Sequence, residues 1–364
     1  MKPEISFTDV MIYGANGYTG RLTTHVAAML GLKPIVAGRR AEEIQSLAKT
    51  LNIQYRAFSL DDVHATADAL RGVRVVLHMA GPFSKTSQQM LEACLKARCH
   101  YLDITGEIHV FEKIFEQHLR IQKAGIFAIP GVGFDVIPTD CLAAKLKQQL
   151  PDANRLELAF MSGGSVSPGT AKTMIDRLGD GTWERQDGRL VQSEVPPARE
   201  VDFGRGLKRV TGISWGDNST AFQSTAIPNI RVYTFLPGPM RVMMGSRFRK
   251  ILAMSPITGL LQTVIGKTVR GPGPKILQRA RVSIWGRVEN PSGKSIEATS
   301  TCVEGYRFTA FGALEAARRI LEGKIDVKIG FGAWTPSKIF GPEFSDQVNA
   351  LALASPLPAS LGLE

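Results

Sequence analysis

The run Val10-Met11-Ile12-Tyr13-Gly14-Ala15-Asn16-Gly17-Tyr18-Thr19-Gly20 decides how the amino-terminal half of this chain folds. Residues 8–13 are an apolar stretch of strand character, and glycines at intervals of three separate it from an apolar helical segment. A strand, a glycine turn and a helix in that order give each glycine a task. Gly14 lets the chain turn, Gly17 lets the backbone approach a pyrophosphate, and Gly20 lets the helix pack against the strand. The amides that open the helix, from Asn16 through Tyr18 and Thr19, face such a phosphate with the positive end of the helix dipole behind them. The first gap is one residue longer than in the G-x-G-x-x-G fingerprint. The assignment therefore rests on the position of the motif at the start of a βα alternation.

That alternation continues. After a helix over about 18–30, Pro34-Ile35-Val36-Ala37-Gly38 forms a second strand that ends in Arg39-Arg40. An acidic side chain at this strand end bonds a ribose 2′-hydroxyl, whereas arginine accommodates a 2′-phosphate, so the site is expected to prefer NADPH to NADH. The competing reading is that Arg39 and Arg40 only cap the next helix in solvent.

A chain of 364 residues suits two domains, each able to bury a sizeable core. The expected division is 1–150 for nucleotide binding, completed by a helix near 305–325, then 151–304 for substrate or dimerisation, and 326–364 as an extension. Cys94, Cys99, Cys141 and Cys302 form no C-x-x-C pair and no framework, which points to a reducing compartment and no structural metal. Residues 1–5 show no apolar run of signal-peptide length, so a cytoplasmic protein is expected. The net charge of +11 is concentrated. No acidic residue stands between Asp217 and Glu289, a stretch that holds eleven arginines and lysines. Its field would attract a membrane surface, a nucleic acid, or an acidic carrier or phosphorylated substrate. The aromatics there, Phe222, Tyr233, Phe235, Phe248 and Trp285, lack the interleaving that single strands favour, so nucleic acid is not expected.

In chain order, a helix over 41–53 and a strand over 54–58 precede Ser59-Leu60-Asp61-Asp62. In a doubly wound sheet that turn passes the adenine, so Leu60 and Asp61 are candidate lining residues, while Asp61 or Asp62 equally suits a helix cap. A strand ending in His78-Met79 breaks into Ala80-Gly81-Pro82-Phe83, a loop expected beside the ribose and nicotinamide. His78 could donate a proton there or be a satisfied structural group. The strands ending at Asp103 and at Pro130 are followed by Ile104-Thr105-Gly106-Glu107 and by a loop containing Gly133-Phe134-Asp135. These loops leave one edge of the sheet and bring Tyr101, Asp103, Glu107 and Asp135 toward the nicotinamide face. A carboxyl group there acts as an acid if its pKa is raised, or it caps a helix. Tyr101, Asp103 and Asp135 are the candidate catalytic residues.

Five motifs in this order resemble those of the saccharopine dehydrogenase-like reductases, in particular the branch with trans-acting enoyl reductases. They are Gly14 to Gly20, Ala37-Gly38-Arg39, Ala80-Gly81-Pro82-Phe83, Tyr101-x-Asp103-x-Thr105-Gly106-Glu107 and Gly133-Phe134-Asp135-x-x-Pro138-x-Asp140. Weaker likeness continues through Ser162-Gly163-Gly164, Gly169-Thr170, Gly305-Tyr306, Thr309-Ala310 and Trp334-Thr335-Pro336. His78 departs from the branch, which often carries asparagine there. The resemblance implies a Rossmann domain, a nicotinamide cofactor and a second domain on a mostly antiparallel sheet.

Beyond residue 150 the pattern changes to short strands and hairpins, including 280–289 and 295–303 joined by Asn290-Pro291-Ser292-Gly293. A helix is read over 170–178, and another over 309–322 is expected to pack back onto the nucleotide domain. Within the basic, apolar stretch 240–282, the uncharged run 251–266 contains Pro256 and is too short to span a membrane. It suits a lid over a long-chain substrate, a peripheral membrane contact, a homodimer interface or plain core helices. The chain thus reads as an α/β oxidoreductase using NADPH, with hydride transfer to an unsaturated, apolar acyl or lipid substrate, free or carrier-bound. The alternatives are imine or oxo reduction in amino-acid metabolism, or a non-catalytic NADPH-binding protein docked on membranes.

Overall fold

The computed structural model describes residues 7–163, 166–167, 169–171, 181–193, 195–236, 268–326 and 328–357. The apolar run 240–266, and all but the first two residues of the helix read over 170–178, lie outside the described residues.

The chain divides into two compact units. One ends at Ile137 and resumes at Tyr306, and the other runs from Pro138 to Gly305. The division thus falls at 137 and 305 where the sequence suggested 150 and 304, and residues 328–357 join the first unit rather than standing apart.

The first unit is built on strands β1 (Val10–Tyr13), β2 (Ile35–Gly38), β3 (Tyr55–Ala57), β4 (Val75–His78), β5 (His100–Asp103), β6 (Phe127–Ile129) and β15 (Gly332–Ala333). They form a seven-stranded sheet of order β15-β6-β5-β4-β1-β2-β3 in which every pairing is parallel. β1, β2 and β4 are buried at every position, as expected for central strands covered on both faces. Helices α1 (Tyr18–Met29), α2 (Ala41–Leu51), α3 (Val63–Ala69), α4 (Phe83–Ala97), α5 (Ile108–Phe115) and α6 (His118–Lys123) connect the strands. On one face Met11, Val76 and Tyr101 from the strands pack with Leu70, Met90, Leu91, Val110 and Ile114 from the helices. The order reverses at β1, which pairs with both β2 and β4. Such a reversal opens a crevice at the carboxyl ends of the strands, where ligands bind. The last short strand, β15, was not legible in the sequence, because two residues carry no period.

The second unit holds an eight-stranded sheet with a path β10-β11-β12-β7-β13-β14 and the pair β8-β9 joined through β12. These strands are β7 (Arg155–Ser162), β8 (Thr182–Gln186), β9 (Arg189–Ser193), β10 (Ala198–Asp202), β11 (Leu207–Gly212), β12 (Asn229–Thr234), β13 (Arg281–Glu289) and β14 (Ser295–Val303). All pairings are antiparallel except β12 with β7. Helix α7 (Ile137–Gln149) lies against β13, where a side chain at Gly286 would come within 2.9 Å of Leu146 and 3.0 Å of Leu142. No helix among the described residues is long and apolar enough to cross a membrane.

Candidate active site at the carboxyl edge of the parallel sheet

Gly14 follows β1 with φ +85°, and its amide donates to the carbonyl of Ala37 at 2.8 Å. A Cβ there would stand 2.8 Å from the Ala80 nitrogen, so the turn and the β4 loop touch backbone to backbone. At Gly20 a Cβ would lie 2.2 Å from the Gly14 carbonyl oxygen, which leaves glycine as the one residue that lets α1 sit on the turn. Gly17 is exposed and opens α1 without a side-chain cap, and the first turn carries no acidic residue. The helix therefore offers its amides and dipole to an anion. Tyr18 meets Tyr306 edge-to-face at 5.1 Å.

At the end of β2 the two arginines separate. Arg40 pairs with Glu43 at 2.7 Å, whereas Arg39 is exposed and has no ion pair among the described residues. No acidic side chain follows Gly38 directly, so the strand end suits a 2′-phosphate. Asn16 donates from Nδ2 to Glu43 at 2.9 Å. Of the adenine candidates, Leu60 is buried in the core cluster and Asp61 is exposed. The capping role falls to Asp62, whose carboxylate accepts from the amides of His64 and Ala65. The Tyr13 hydroxyl donates to the Phe58 carbonyl, and burial raises its pKa to about 12.

Three loops at this edge are tied together by two carboxylates. The Glu107 carboxylate accepts from the amides of Phe83 at 2.9 Å and Ser84 at 3.1 Å, so it caps α4 from the β5 loop and fixes Ala80, Gly81 and Pro82. Gly81-Pro82 is a cis peptide bond. Asp103 accepts from the amides of Thr105 at 3.0 Å and Gly131 at 2.9 Å, and from the Tyr101 hydroxyl at 2.6 Å. Burial pushes Asp103 up to about 6 against the pull of these three donors. Tyr101 and Asp103, both expected as catalysts, are fully buried and engaged with each other. Their geometry fixes the β5 and β6 loops.

Asp135 is placed differently. It keeps part of its surface accessible, and burial of its carboxyl group raises its pKa to about 7. A Cβ at Gly106 would lie 2.9 Å from its Oδ2, so the β5 loop passes directly beside the carboxylate. The Phe134 amide next to it donates to Thr309 Oγ1 at 2.9 Å, from the helix Gly305–Glu322. Thr309 and Tyr306 thus join the site from a distant part of the sequence. The weaker family likeness at Gly305-Tyr306 and Thr309-Ala310, and a helix expected to pack back onto the nucleotide domain, point to them. His78 is fully buried, with Nε2 3.0 Å from Thr86 Oγ1 and the rings of Tyr13 and Phe83 around it. Thr86 gives its own proton to the Ala80 carbonyl, so His78 is the donor to Thr86 and stays neutral, its pKa driven down to about 3 by burial. It is a structural group that braces the β4 loop.

Residues 10–129 match the saccharopine dehydrogenase NADP-binding domain. The nucleotide domain is of that family. The chain is 24% identical over 357 residues to a putative trans-acting enoyl reductase of Mycobacterium tuberculosis, covering 86% of this chain and 84% of the relative. It is 28% identical over 187 residues to a trans-acting enoyl reductase of Mycobacterium leprae, a match that spans 45% of that protein's length and 46% of this chain. Saccharopine dehydrogenase (L-Glu forming) from Saccharomyces cerevisiae has the same fold, with a TM-score of 0.59 at 14% identity over 93% of this chain and 95% of the yeast chain. The chain is an NADP-binding oxidoreductase whose nucleotide domain is of the saccharopine dehydrogenase kind. In this domain the open Gly17 edge, the uncapped α1 terminus and the exposed Arg39 fit the pyrophosphate and 2′-phosphate of NADP(H).

Proposed function

We propose that this oxidoreductase reduces an unsaturated, apolar acyl-type substrate, an enoyl group on a thioester or within a lipid, with Asp135 as the proton-handling residue. The observation that carries the reading is that the β5 loop at Gly106 passes directly beside a carboxyl group on the β6 loop whose pKa lies near neutrality, with the adjoining Phe134 amide held by Thr309. Relatives named as trans-acting enoyl reductases support the substrate class. NADPH, when bound along Gly14 to Gly20 and Arg39, supplies the hydride. Reduction of an enoyl group also needs a proton at the carbon beside the carbonyl, and a group titrating near the working pH is best suited to deliver it. Asp135 is half protonated near pH 7, so it can give that proton and regain one from solvent. Tyr101, Asp103 and Glu107 act as positioning residues that hold the β4, β5 and β6 loops.

The test begins with fluorescence titrations of NADPH and NADH on wild type and Arg39→Ala. Loss of one charge-assisted contact predicts NADPH binding weaker by roughly tenfold or more in the variant, with NADH unchanged. NADPH consumption is then followed with a 2-enoyl thioester, and in parallel with an imine formed from an oxo acid and an amine. Turnover of the thioester that falls by about 100-fold in Asp135→Asn is expected. Turnover of the imine alone would replace the acyl reading with amino-acid chemistry.

A further inference from the structure

The exposed end of β2 carries two arginines, and among the described residues only Arg40 has an ion-pair partner. Arg40 Nη1 lies 2.7 Å from Glu43 Oε1, and the other oxygen of the same carboxylate accepts from Asn16 Nδ2 at 2.9 Å. Asn16 belongs to the glycine turn, and its carbonyl also accepts from Arg21 Nε at 3.2 Å. A Cβ at Gly38 would lie 3.0 Å from Asn16 Oδ1, so the turn and the end of β2 are in close contact here. Glu43 sits in the first turn of α2 and therefore bridges the pyrophosphate turn and the 2′-phosphate corner.

We propose that Glu43 is a specificity-determining residue of the nucleotide site, which rests on the NADP reading above. Its charge holds Arg40 away from a 2′-phosphate, while its hydrogen bond to Asn16 keeps the glycine turn in place for either nucleotide. Arg39 then carries 2′-phosphate recognition alone, and the preference for NADPH over NADH is smaller than two adjacent arginines would give.

The two roles separate by substitution, because glutamine keeps an acceptor for Asn16 but loses the charge. NADPH and NADH are titrated on wild type, Glu43→Gln, Glu43→Ala, Arg40→Ala, Arg39→Ala and the double variant Glu43→Gln/Arg40→Ala, each at low and high salt. Glu43→Gln is expected to tighten NADPH by roughly two- to fivefold at low salt, the scale of an exposed ion pair, and to leave NADH unchanged. High salt shrinks the gain. Arg40→Ala alone should change NADPH little, yet erase the gain on the Glu43→Gln background. Glu43→Ala should weaken both nucleotides, since the turn loses its tether. An unchanged NADPH-to-NADH ratio in Glu43→Gln, or an Arg40→Ala loss as large as that of Arg39→Ala, would overturn the proposal while leaving the cofactor site standing. Unchanged NADPH binding in Arg39→Ala would overturn both.

Discussion

Replacing Asp135 by asparagine should make the protein more stable at alkaline pH while removing its reductase activity. The carboxyl pKa rises from 3.8 to about 7 in the folded chain, because burial disfavours the charged form. A folded value above the unfolded one means that the protonated group's contribution is fully present below about 3.8 and is lost as the pH rises through about 7. The shift is roughly three pH units, worth at most about 4 kcal/mol at 1.36 kcal/mol per unit. Asp135 retains some access to water, so solvent relieves part of this, and about 2–3 kcal/mol is the expected gain for Asp135→Asn at pH 8. Near pH 4 both side chains are neutral and the difference should vanish. Urea unfolding of both proteins at pH 4, 6 and 8, read as a difference at equal m-value, measures it and cancels the parallel contribution of Asp103. A difference that does not depend on pH, or a variant less stable at pH 8, would refute the claim that a buried, reluctant charge sits at this position.

Three further outcomes follow from the turn and the loop anchors. Gly20→Ala should prevent formation of the nucleotide site, costing about 3 kcal/mol or more, because its Cβ meets backbone at 2.2 Å. Gly17→Ala, whose Cβ is 3.3 Å from the Gly14 oxygen at an ordinary φ of −76°, should keep the thermal midpoint and lose NADPH affinity. Glu107→Ala strands the amides of Phe83 and Ser84 and should destabilise by about 2–4 kcal/mol in urea unfolding, with Glu107→Gln recovering part of it.

Much of the first unit was legible because its signals are local. A continuous apolar run, a glycine at each close approach and an arginine at a strand end are set by neighbouring residues, and β1, α1 and β2 stand where those signals place them. Residue type also nominated Tyr101, Asp103 and Asp135 together, since each lies at or beyond a strand's carboxyl end. Their different environments were not legible. Whether a carboxylate accepts from a hydroxyl and two amides, as Asp103 does, or lies against the glycine of a neighbouring loop, as Asp135 does, depends on which loops meet.

By itself the sequence determined the order of most strands and helices of the first unit, the glycine turn and the arginine at the end of β2, because propensity and period act over a few residues. Only the tertiary structure decided that Glu107 caps a helix 24 residues away, that Thr309 reaches the Phe134 amide across 175 residues, and that Glu43 takes one arginine out of a pair. Hydrogen bonds and desolvation depend on distances between segments remote in the chain, and those distances exist only once the sheet has formed.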